Sequence, residues 1–213
     1  QTISLYTLFQ EGENIADLSA NPCQRIALMR LLICITQAAL NGPQDETEWS
    51  NCFPQIKPSV LKYLTIWTAR FNVFGQQAFL QAEGLDITAN SVLDKLDFTL
   101  ASGNNATLYD HAATPQGRIK PYNTLALSLL VYQCFSPGGL IGTSSWNGDV
   151  TKSTSEHAPC IEGSMLHTFL RGDNILKTIY TNLVTRQMVN QFLGGNWGTP
   201  CWETSMKNDE LLR

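Results

Sequence analysis

The sequence predicts an α+β fold: a mostly helical domain with a small sheet and long functional loops. Three observations predict it: apolar runs at helical spacing, one short alternating segment, and polar stretches too long for ordinary turns. At 213 residues the chain can bury one sizeable core, since domains hold about 100 to 200 residues. We therefore read 1–213 as a single domain. Hydrophobic residues make up 43% and charged residues 15% of the chain, which excludes a disordered polypeptide.

The first strong element begins at Asn21-Pro22, a capping side chain followed by a residue whose φ is already helical. It should run to about Leu40, before Asn41-Gly42-Pro43. Ile26, Leu28, Met29, Leu31, Leu32, Ile33 and Ile35 surround it almost completely, the mark of a core helix. Arg25 and Arg30 interrupt it, and the apolar stretch from Leu31 is only about ten residues, so no membrane span is expected. Asp45, Glu46 and Glu48 read as a solvated loop. Pro58 is expected to open a second helix with the stripe Val60, Leu64, Trp67, Phe71 and Phe74. Ser91 and Asp94 have capping-box spacing for a turn through Val92, Leu93 and Leu96.

Ser102 to Lys120 is polar and glycine-containing, and loops beyond ~12–15 residues tend to be functional or disordered. A third helix, Asn123 to Phe135, carries Leu125, Leu129 and Tyr132 on one face and stops at Ser136-Pro137-Gly138-Gly139. Thr143 to Glu156 is rich in Ser, Thr, Gly and Asn and reads as mobile. Met165 to Arg171 alternates as a strand, Gly172-Asp173 turns it, and Asp173 caps a helix burying Leu176, Ile179 and Leu183. The tail from Gly194 holds Trp197 and Trp202 with little periodicity.

The net charge of -4 argues against holding nucleic acid by bulk electrostatics. Residues 1–100 carry six basic and ten acidic side chains, and 101–213 eight of each, so any nucleic-acid contact belongs to the second half. The six cysteines, Cys23, Cys34, Cys52, Cys134, Cys160 and Cys201, form no C-x-x-C pair. They read as reduced structural thiols of a cytoplasmic protein without a signal peptide.

Catalytic constellations are weak. His157-Ala-Pro-Cys160 puts a thiol near an imidazole, but no third orienting group is evident. Cys and His are scattered singly, unlike a zinc site. Gly138-Gly139 to Gly142 follows a helix and lacks the Gly-Lys-Ser/Thr of a phosphate loop, yet bare backbone there can approach a groove or phosphate. The long loop offers Asn104, Asn105, Thr107, Tyr109, Asp110 and His111 for hydrogen bonding or stacking, with Arg118 and Lys120 at its base, a mixture suited to unstacked nucleotides. An ordinary surface loop remains open on these residues alone, as do a Cys/His hydrolase and a purely structural assembly protein.

Several segments, taken in order, resemble the large subunit (CasA family) of the type I-E CRISPR Cascade complex. They are Ile3-Ser4-Leu5, Asp17-Leu18, Leu31-Leu32-Ile33-Cys34-Ile35-Thr36-Gln37, Ala78-Phe79-Leu80-Gln81 with Gly84, Lys95-Leu96, Ser102 to His111, Gly138-Gly139 and Thr168-Phe169-Leu170-Arg171-Gly172. The resemblance covers Ile3 to Trp202 and only the family's amino-terminal region, without its usual carboxy-terminal helical bundle.

It implies a non-catalytic subunit that recognises the protospacer-adjacent motif, holds the 5′ handle of the guide RNA and helps recruit the helicase-nuclease. The implied partners are guide RNA, target double-stranded DNA, the other Cascade subunits and the helicase-nuclease effector, with no membrane, metal or cofactor. The family's handle-contacting loop falls on Asn105 to His111, namely Asn105, Thr107, Leu108, Tyr109, Asp110 and His111. Leu108 stands where the family inserts an aromatic side chain; leucine can wedge but cannot stack, leaving Tyr109 as the ring. The family's groove-approaching glycine loop falls on Gly138, Gly139 and Gly142, with Leu140 and Ile141 in place of further glycines.

Overall fold

A computed structural model of the chain describes residues 2–86, 92–97, 100–101, 118–135, 143, 145–150, 166–192, 194–195 and 197–204. In chain order the described helices are α1 (Leu5–Gln10), α2 (Pro22–Leu40), α3 (Glu46–Asn51), α4 (Phe53–Ile66), α5 (Tyr122–Phe135), α6 (Ile175–Thr181) and α7 (Arg186–Phe192). The described strands, β1 (Ser145–Trp146) and β2 (Asp149–Val150), pair antiparallel. The fold is thus α+β and mostly helical, as the sequence predicts. Two compact units divide the chain: Gln1–Gly75 with Met165–Thr204, and Gln76–Ser164 with Ser205–Arg213.

The first unit is built on α2. Asn21 accepts from the Gln24 amide at 2.9 Å while the Gln24 side chain accepts from the Asn21 amide at 3.3 Å, a complete capping box ahead of Pro22. Ala27, Met29, Leu31, Leu32 and Ile35 are buried, and α2 packs against α4 and α6. The whole of α2 is long and apolar enough to cross a membrane by length and composition, where the sequence reading counted only the run from Leu31. The helix is buried on one side only: Ile26, Leu28 and Ile33, expected in the core, are half-buried, and Arg25 is ion-paired to Asp17 at 2.8 Å.

Several local expectations need correction. Pro54, not Pro58, opens α4, and Pro58 lies inside it. As the sixth residue of α4 it lacks the N–H that would otherwise bond the Pro54 carbonyl, so the helix loses one backbone bond there. Val60 and Leu64 are buried as predicted, but α4 ends at Ile66, a 3-10 turn carries Phe71, and Phe74 is exposed. Asp45 caps α3, so the acidic cluster sits on a short helix with Glu46 and Glu48 at its positive end.

Met165 to Arg171 is no strand among its described residues, 166–171. The Asn182 side chain instead satisfies both backbone groups of Leu170, at 2.8 and 2.6 Å. Asn174, not Asp173, caps α6; Asp173 pairs with Lys177 at 2.8 Å. Leu176, Ile179 and Leu183 are buried as predicted.

The tail docks through Trp202, whose indole stands 5.3 Å from the Phe71 ring. Trp202 Nε1 donates to Tyr63 Oη at 2.6 Å, and Tyr63 Oη donates to Glu203 Oε1. Tyr63 and Trp202 are both buried. Tyr63→Phe removes both bonds and strands the indole donor. It is expected to lower the unfolding free energy by about 1–3 kcal/mol, read as a reduced denaturant midpoint.

Candidate nucleic-acid interface

Asn105, Thr107, Leu108, Tyr109, Asp110 and His111 lie outside the described residues, as do Gly138, Gly139, Leu140, Ile141 and Gly142. The described part of the second unit supplies the framework from which these two segments spring. Ala101, the last described residue before the first segment, is fully buried, and Arg118 is the first after it.

Arg118 is held by a buried carboxylate. Asp94, 1% exposed, sits on the 3-10 turn Leu93–Leu96 and takes Arg118 Nη1 at 3.2 Å and the Arg118 amide at 3.4 Å. Lys120 Nζ lies 3.6 Å from Asp94 and 3.9 Å from Asp97, with its side chain only 7% exposed. The two cations expected to meet nucleic acid at the loop base are therefore turned toward acidic groups of the protein. The N-cap residue of that 3-10 turn is Val92, and Ser91, the expected capping-box partner of Asp94, lies outside the described residues. Breaking such a buried pair costs about 3–5 kcal/mol because a charge is left uncompensated.

Helix α5 connects the two segments. Its 14 residues make it about 20 Å long, with the first segment before its amino end and the glycine segment after its carboxy end. Leu125, Ser128 and Leu130 are buried, while Leu129 and Tyr132, expected on the core face, are half-buried.

The region after the glycine segment, expected to be mobile, contains an ordered hairpin. Asn147 and Gly148 have φ of 52° and 91°, the left-handed pair of a two-residue type I′ turn between β1 and β2. Trp146 is buried, and its Nε1 donates to the Glu83 carbonyl at 2.7 Å. The Asn147 amide donates to Gly84 at 2.9 Å and the Asp86 amide to Ser145 at 2.8 Å, on either side of a Leu85–Trp146 bridge. Across the glycine segment, Gln133 Nε2 donates to the Leu80 carbonyl at 3.1 Å. The stretch Leu80–Asp86 thus holds the chain on both sides of 136–142.

In the first unit, two stretches that carry the family resemblance also meet. Asp17 accepts from Arg25 at 2.8 Å and pairs with Arg171 at 3.1 Å, and the Ile175 amide donates to the Ile15 carbonyl at 2.8 Å.

The model of the CRISPR-associated protein Cse1 family matches residues 1–211. The chain belongs to the Cse1 family. It is 34% identical over 171 residues to the CRISPR-associated protein CasA/Cse1 of Thermus thermophilus, covering 77% of this chain and 32% of that protein. Its backbone is similar to the crystal structure of Thermobifida fusca Cse1, with a TM-score of 0.75 at 19% identity over 97% of this chain and 40% of that one. It is also similar to a chain of a CRISPR RNA-guided surveillance complex, with a TM-score of 0.74 at 16% identity over 98% of this chain and 43% of the other. The chain therefore spans about a third of its curated Cse1 relative and corresponds to the family's amino-terminal region.

Three described thiols of this Cse1-family chain are shifted away from the thiolate form. Although Cys34 is exposed by surface area, desolvation by the surrounding protein raises its thiol to about 11, helped by Cys201 and Glu203 nearby and opposed by Arg30. Burial also raises Cys201 and Cys52. Cys160, His111 and His157 lie outside the described residues, and His167 is half-buried.

A thiol whose folded pKa exceeds its unfolded value stabilises the fold below the unfolded pKa and loses that contribution as pH rises. The Cys34 contribution to stability should therefore be level below pH 9.0 and be lost as pH climbs to about 11. Cys34→Ala should shrink the decline, read as urea midpoints across that window.

Proposed function

We propose that the chain is the amino-terminal domain of a non-catalytic subunit of an RNA-guided antiviral surveillance complex in the cytoplasm. In this reading it recognises the protospacer-adjacent motif of target double-stranded DNA, holds the guide RNA 5′ handle, contacts other Cascade subunits and helps recruit the helicase-nuclease. The family match over residues 1–211 carries the proposal. The backbone likeness to a chain of a CRISPR RNA-guided surveillance complex supports it.

Asn105, Thr107, Leu108, Tyr109, Asp110 and His111 make the handle contact: Leu108 wedges, Tyr109 stacks, and the polar groups bond bases or ribose. Gly138, Gly139 and Gly142 bring bare backbone against the minor groove. Minor-groove donors and acceptors distinguish A·T from G·C without a large positive charge. A net charge of -4 is compatible with this task when neighbouring subunits neutralise the phosphates.

Leu108→Asp combined with Tyr109→Ala should lower retention of the subunit on the RNA-protein complex by about tenfold or more, measured by co-purification or filter binding. Wild-type retention would remove the handle assignment. Gly139→Asp should weaken binding to duplex targets carrying the flanking motif by about ten- to a hundredfold while sparing pre-melted targets. Gel shifts on the two substrates decide the matter, and equal binding by both proteins would overturn the glycine-segment assignment.

A further inference from the structure

We draw no further inference here: the strongest candidate, the side-chain cluster of Cys34 on α2 with Cys201 and Glu203 of the docked tail in the first unit, carries nothing because it rests on the shifted titration of Cys34 alone.

Discussion

Backbone groups that leave water need partners, and in the second unit one short pairing answers much of that demand. Gly84 to Asp86 lies antiparallel to Ser145–Asn147, and the Trp146 indole adds a bond to Glu83. Through Gln133, the same stretch also reaches the last turns of α5. Regular secondary structure is sparse here among the described residues, so these few bonds decide where the chain passes. A side chain at position 84 would meet the Asn147 side chain, whose Oδ1 lies 1.9 Å from an added Cβ.

Among the described residues of this unit, one charge cluster is turned inward. Asp94 is almost wholly buried and compensates Arg118 and Lys120, which sequence proximity alone would assign to phosphate contacts. Such a cluster contributes little net stability over apolar packing. It does anchor the chain directly after residue 117.

How far each element was legible follows from how local its cause is. The α2 start was readable because Asn21 and Gln24 cap each other within three residues. The core face of α6 was readable because Leu176 and Ile179 repeat at helical spacing. Its cap was misplaced by one residue because neighbouring Asp173 and Asn174 are both good caps. Alternation at Met165–Arg171 signalled extended chain, but a strand also needs a neighbour, and Leu170 bonds a side chain instead. Asn147-Gly148 is a strong hairpin signal that the surrounding polar composition obscured.

By itself the sequence determined the helical core, the α+β class and, through an ordered series of short motifs, membership of the Cse1 family. These depend on periodicity, capping and residue identity, which are local or additive along the chain. Only the tertiary structure decided that Arg118 and Lys120 point inward, that Asp17 meets Arg171, and that Leu80–Asp86 holds both sides of the glycine segment. Those contacts join residues dozens of positions apart, and the partner of a charged or backbone group is set by which surfaces pack together.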